Sequence, residues 1–273
     1  MATFATGSTG TIGKFFPDSV IPMRINLTSA IEEFEQLPLE NNDVVIHAAA
    51  IVGPRVVDKD PFAAREVNIE GTRKLGLATL SKGISKFVYI STSHVYRFGP
   101  EYLLENDEVA PVNEYANQKY EGEKILEAIF SQALERLCIL RVFSILDWGM
   151  PEYSLGGAVE KLAAKDSNFI LRNAGDVRDF LTPKQVAEVI YEISGAEAAS
   201  GVINLCSSKP TSVSGAVRYL FALENIEIRE NSLSGGNSLV PRIVGNNSKL
   251  KSLVPKLELE WKPSSRINRE NSS

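Results

Sequence analysis

ATFATGSTGTIG, residues 2–13, opens the chain and decides how the rest is read. Residues 2–6 are apolar and rich in β-formers, which predicts a buried strand. Gly7, Gly10 and Gly13 follow at G-x-x-G-x-x-G spacing. In a strand-to-helix turn of this kind the first glycine permits the sharp turn. The second lets the backbone approach a pyrophosphate, and the third lets the next helix pack close to the sheet. A helix beginning near Thr11 would aim its unpaired N–H groups at the phosphates, with Thr9 and Ile12 in the same cofactor-binding turn. Glycine-rich turns serve many ligands and some serve none. Placement directly after the first strand favours the nucleotide.

Three more apolar runs predict strands buried on both faces: DVVIHAAA (43–50), KFVYISTS (86–93) and LCILRVFSIL (137–146). Segments 61–82 and 114–136 between them carry helical spacing, and VIPM after Pro17 leaves room for a short second strand. Alternating strands and helices predict an α/β fold, a doubly wound parallel sheet with right-handed crossovers. Ligands of such sheets bind beyond the carboxyl ends of the strands, where both the glycine turn and Ser91-Thr92-Ser93 fall.

Tyr115 and Lys119, four apart, project from one face of the predicted helix. A free phenol titrates near pH ~10, too high for proton shuttling, and a nearby ammonium with an oxidised nicotinamide's positive charge would bring it down. With a hydroxyl from Thr92 or Ser93 to hold a substrate oxygen, the set suits hydride transfer between a carbinol and a nicotinamide. Tyr120 and Lys124 share the spacing. The register Pro111, Tyr115, Lys119, Glu123 selects the first pair.

With VNIEGT (67–72), GDVRDFLTPKQVAEV (175–189) and GVINLCSS (201–208), these motifs resemble the extended short-chain dehydrogenases/reductases, specifically the NAD-dependent epimerase/dehydratase group. The resemblance covers residues 2–210 well and 211–262 loosely. It implies a Rossmann-type cofactor domain over 1–150, rejoined by 176–210. It further implies a small substrate-binding subdomain from 151–175 and 211–262, ahead of a disordered tail, 263–273. By the same resemblance Gly7, Gly10 and Gly13 meet the cofactor diphosphate, and Ala48 and Ala49 lie beside its adenosine half. Asn68 lies near the active site, Thr92 is the catalytic hydroxyl, Tyr115 the acid/base, and Lys119 holds the nicotinamide ribose. Arg178 and, as a second candidate, Arg242 would meet the nucleotide or diphosphate of a nucleotide-linked sugar.

Departures from the family pattern select among reactions. Family dehydratases carry acids directly after the catalytic threonine, where this chain has Ser93 and His94, which join the substrate-binding set. Ser144 and Trp148, in SILDWG (144–149), would shape an altered pocket, while His47, inside an apolar run, reads as a satisfied core histidine. No acid ends the short second strand; Arg24 stands there, which favours NADP over NAD as cofactor.

The net charge of −5 and the lack of a basic block exclude nucleic acid as the main partner. No 18-residue apolar span or N-terminal signal is present, so a cytoplasmic enzyme without membrane attachment is expected. Two cysteines without metal spacing point to a reducing compartment and no metal site. Three readings stay open: a 4-ketoreductase of a nucleotide-linked sugar, a C4 epimerase with tightly held NAD, and a non-catalytic NAD(P)-binding regulator. A homodimer through the helices of 61–82 and 114–136 is expected from the family.

Overall fold

The described residues hold ten strands: β1 (Thr3–Thr6), β2 (Val20–Pro22), β3 (Val44–His47), β4 (Lys86–Thr92), β5 (Leu137–Val142), β6 (Ser144–Ile145), β7 (Val177–Leu181), β8 (Gly201–Leu205), β9 (Pro210–Ser212) and β10 (Arg242–Ile243). The computed structural model describes residues 1–164, 169–235 and 241–266. Six strands form one sheet in the order β2-β1-β3-β4-β5-β8, every pair parallel. From β1 the chain steps outward to β2, then returns to place β3 on the other side. That reversal opens a crevice at the carboxyl ends of β1 and β3.

Both faces of the sheet are covered, which is why its strands read as unbroken apolar runs. Successive side chains alternate between two cores. Phe4, Val45, Phe87, Tyr89 and Ile139 pack with Leu75 and Leu126 from the helices over 61–81 and Glu114–Ile129. Ala5, Ile46, Val88, Leu140 and Ile203 pack on the other face with Val186, Ile190 and Ile193 of the helix Pro183–Gly195. That helix is closed at its start by a capping box between Thr182 and Gln185.

The remaining strands form a small second sheet, with β7 paired to β10, β6 and β9. It has its own core, in which Trp148, Phe180, Leu220 and Phe221 are buried. The run 137–146, expected as one strand, is therefore two: β5 ends at Val142, and Ser144–Ile145 pairs with Phe180–Leu181. Periodicity could not show the break, because Val142, Phe143 and Leu146 are each received by a different core.

Four other expectations need correction. The helix at 114–136 stops at Ile129, and a separate 3-10 turn covers Leu134–Arg136. The first helix, expected from near Thr11 and limited by Pro17 to little more than a turn, starts instead at Gly13 and is a 3-10 turn, Gly13–Phe15. In the stretch assigned to the substrate subdomain, Leu250, Val254 and Leu259 pack in the main core, while β7 of the returning 176–210 segment joins the small sheet. Of the tail, 263–266 are placed, with Arg266 paired to Glu160 at 3.1 Å; 267–273 lie outside the described residues.

Candidate active site

The glycine turn is fixed by contact of backbone on backbone. Gly7 has φ +71°, and a Cβ there would lie 2.7 Å from Ala49 N and 2.8 Å from Ala48 C. A Cβ on Gly13 would lie 2.1 Å from Gly7 O. No other residue fits either position, and the tight curl leaves Thr9, Gly10 and Ile12 lining a cavity of about 460 Å³ with Ala48 and Ala49. This cradle at the β1/β3 crevice suits a dinucleotide diphosphate. Arg24 stands exposed two residues past the end of β2, where the adenosine ribose of such a ligand would reach.

The cavity continues into a second one of about 370 Å³ beyond the ends of β4 and β5, and Ile12, Ala48, Ile145 and Tyr153 line both. Thr92, His94, Tyr115, Lys119, Ser144 and Arg178 converge here. Thr92 ends β4, and its Oγ1 accepts a hydrogen bond from His94 N at 3.3 Å. Tyr115 and Lys119 come from the first two turns of the helix Glu114–Ile129, capped by Asn113, whose side chain accepts from Ala116 N at 2.9 Å. Ser93 is buried at 1% exposure and lies outside this lining, so the structure does not bring it to the cleft. Arg242 is outside it as well; its Nε donates to Pro100 O at 2.8 Å and its guanidinium lies over Tyr102.

The charges are held by a layer beneath the cleft. Lys119 Nζ sits 4.1 Å from the centroid of the Tyr89 ring, and burial lowers its pKa to about 7 against the opposing pull of Glu123. Glu123 is itself buried. It receives Nη2 of Arg141 at 2.7 Å and the hydroxyl of Ser91. Burial pushes Tyr115 well above the ordinary phenol value, with the Tyr153 phenol adding to the effect. Within the protein itself desolvation dominates and no depression of Tyr115 by Lys119 appears; the expectation joins to the ammonium the charge of an oxidised nicotinamide. Tyr115 holds its proton and is poised as an acid. Arg178, partly buried beside His94, gives Nη2 to Asp176 at 2.6 Å and Nη1 to Val177 O at 3.0 Å. Burial, with Arg178 contributing, lowers His94 to about 4, so its imidazole is neutral near pH 7.

His47 is the core histidine expected from its apolar context. Thr72 Oγ1 donates to Asn68 O at 2.7 Å, so it accepts from His47 Nε2 at 2.9 Å; Nδ1 then takes the proton of Thr6 Oγ1 at 2.8 Å. Asn68 itself sits in a π-helical stretch, Glu66–Gly71. Its amide bonds Ile51 N at 2.8 Å, Ile51 O at 3.0 Å and Gln118 Oε1 at 2.9 Å, fixing the loop after β3 to the catalytic helix.

Sequence reasoning did not single out Tyr153, Met150 and Pro151, which line the glycine-turn cavity, or Lys14, which stands on its outer side with Thr9 and Thr11. Nothing in local patterning marks them, although Lys14 directly follows Gly13 and was open to suspicion as a phosphate partner.

The model of the NAD dependent epimerase/dehydratase family matches residues 17–206. The chain belongs to this family. It is an NAD(P)-dependent enzyme, and the match begins just after the glycine turn. A GDP-6-deoxy-D-talose 4-dehydrogenase of Aggregatibacter actinomycetemcomitans is 24% identical over 93% of this chain and 91% of its own length. The structure of RMD from Pseudomonas aeruginosa complexed with NADPH superposes with a TM-score of 0.82 at 21% identity, covering 95% of this chain and 94% of the other. UDP-glucose 4-epimerase of Thermotoga maritima with UDP-glucose gives the same TM-score, 0.82, at 18% identity and full coverage of both chains. The parallel sheet and crevice are thus the family fold. No helix among the described residues is long and apolar enough to cross a membrane.

Proposed function

We propose that this enzyme is a 4-ketoreductase of a nucleotide-linked 6-deoxysugar, with Thr92, Tyr115 and Lys119 as its catalytic set. The observation that carries the reading is Tyr115, held protonated at the cleft beside Thr92. Bound NAD(P)H supplies the hydride. Thr92 orients the ketone oxygen by hydrogen bond. Tyr115 donates its phenolic proton to that oxygen as the carbinol forms. Lys119, whose ammonium and neutral amine are balanced near pH 7, binds the nicotinamide ribose hydroxyls and stabilises the phenolate left on Tyr115.

The GDP-6-deoxy-D-talose 4-dehydrogenase relative supports the choice, since a 4-dehydrogenase and a 4-ketoreductase run one reaction in opposite directions. Ser93 and His94 in place of acids argue against dehydration, because a buried serine and a neutral imidazole are poor proton donors for expelling water. Arg178 would meet the substrate diphosphate, Ser144 and His94 its sugar. Exposed Arg24 favours the 2′-phosphate of NADP. A C4 epimerase uses the same residues, and the likeness to UDP-glucose 4-epimerase favours it as the second reading. Mixing protein and NADPH with a nucleotide-linked 4-keto-6-deoxysugar, and in a second arm protein and NAD with a nucleotide-linked 4-hydroxy sugar, decides between them. Stoichiometric loss of the reduced nicotinamide supports the reductase; conversion of a sugar to its epimer with no net cofactor use supports the epimerase.

The same proposal includes a homodimer and a cytoplasmic location. Phe62 and Leu77, exposed on the helices over 61–81, support the first, and two buried free thiols, Cys138 and Cys206, are consistent with the second. Light scattering that returned only a monomer mass at micromolar concentration would remove the dimer.

A further inference from the structure

The strap over residues 149–154, between the small sheet and the helix Leu155–Ala163, crosses the mouth of the cleft. Its path is set by that helix. A Cβ on Gly156 would lie 2.6 Å from Met150 Cβ, and one on Gly157 would lie 2.5 Å from Pro151 O. Two successive glycines thus let the strap fold back onto the helix start, where Ser154 caps it by accepting from Gly157 N at 3.2 Å. The strap is therefore preorganised rather than loose.

Tyr153 is its inward-facing aromatic. The ring lies on Gly53, whose φ is +99°; a Cβ at Gly53 would stand 3.0 Å from Tyr153 Cδ2. The contact joins the loop after β3 to the strap, both of which line the catalytic cavity. Tyr153 lines both the glycine-turn cavity and the cavity of Tyr115 and Lys119, so it stands at their junction. It is nevertheless 50% exposed, so half of this large aromatic is left uncovered by the described residues. The Tyr115 phenol senses its proximity.

The geometry points to Tyr153 as a positioning residue that rests on Gly53 and holds the nicotinamide end of NAD(P) against Tyr115 and Lys119. A flat aromatic at the junction covers one face of a nicotinamide–ribose unit, excludes water, and leaves the adenosine half untouched. The inference rests on the family's use of NAD(P) and not on which sugar is reduced.

The test is calorimetric titration of the full-length protein with NADPH and, separately, with its adenosine half alone, 2′-phospho-ADP. Tyr153→Ala is expected to weaken NADPH about tenfold while changing 2′-phospho-ADP by less than about twofold, and Tyr153→Phe is expected to bind both as the wild type does. Unchanged NADPH binding in Tyr153→Ala overturns the clamp. Equal weakening of both nucleotides also overturns it, since that is the signature of a collapsed strap. A loss in Tyr153→Phe matching that in the alanine variant would put the effect in the hydroxyl and contradict ring packing. Wild-type protein that bound no dinucleotide would sink the cofactor assignment itself, a distinct failure.

Discussion

The glycine-turn half of the cleft rests on backbone touching backbone, whereas the catalytic half rests on side chains held by other side chains. At Gly7 and Gly13 no Cβ is tolerated, so the curl of the chain is set by sterics. Around Tyr115 the equivalent work falls to the buried Arg141–Glu123 pair, to Asn68 on Ile51 and Gln118, and to Asp176 on Arg178. The first half tolerates nothing larger and is insensitive to pH. The second can be retuned by one substitution and responds to protonation.

Substitutions break the contrast in a ranked order. Tyr115→Phe is expected to lower turnover by about 10²–10⁴-fold, the usual range for a positioned acid, with cofactor affinity unchanged. Steady-state rates beside a binding titration check it, and near-normal turnover would move suspicion to Tyr120. Arg141→Met strands Glu123, 1% exposed, without its cation and is expected to cost about 3–5 kcal/mol of stability. Denaturant melts measure this, and the double variant with Glu123→Leu should recover much of the loss. Arg178→Ala is expected to raise KM for the nucleotide-linked substrate by roughly 1.5–3 kcal/mol equivalent while leaving the Kd of NAD(P)H alone. A matching change in cofactor affinity would show that the two halves are not separable.

An effect of a different kind is graded with pH. Both histidines are held neutral by burial, His47 lowered to about 3 and His94 to about 4 from the ordinary 6.5. Below pH 6.5 the unfolded chain takes up these protons before the folded one does. The stability they confer is complete above pH 6.5 and is lost as pH falls toward 4 and 3, by at most about 1.4 kcal/mol per unit for each histidine. Thermal melts from pH 7 to 4 should show this slope, reduced in His94→Gln. A flat profile would mean that the imidazoles are already charged in the folded protein.

How much of this was legible in the sequence follows the same division. Gly7, Gly10 and Gly13 are visible because steric necessity leaves a residue-type signature at fixed spacing, and Tyr115 with Lys119 because helix geometry ties four residues to one face. His47 was readable from its apolar surroundings. The small sheet was not: its pairings with β7 involve two or three residues, and periodicity needs longer runs than that. Arg242 was expected at the substrate and instead holds Pro100 and Tyr102, a choice of partner that no pattern encodes. Tyr153 went unseen because its significance comes from Gly53, a hundred residues away. The lowered pKa of Lys119 and the raised one of Tyr115 depend on burial, which the spacing of the two residues does not report.

The central claim is hydride delivery from cofactor to sugar at a site where Tyr115 supplies the proton. It is tested most directly with NADPH deuterated at the transferable position of the nicotinamide and a nucleotide-linked 4-keto-6-deoxysugar. The account predicts one deuterium on the new carbinol carbon for each NADPH consumed, and the same transfer about 10²–10⁴-fold slower with Tyr115→Phe. Sugar conversion with no deuterium transferred and no NADPH consumed would contradict it.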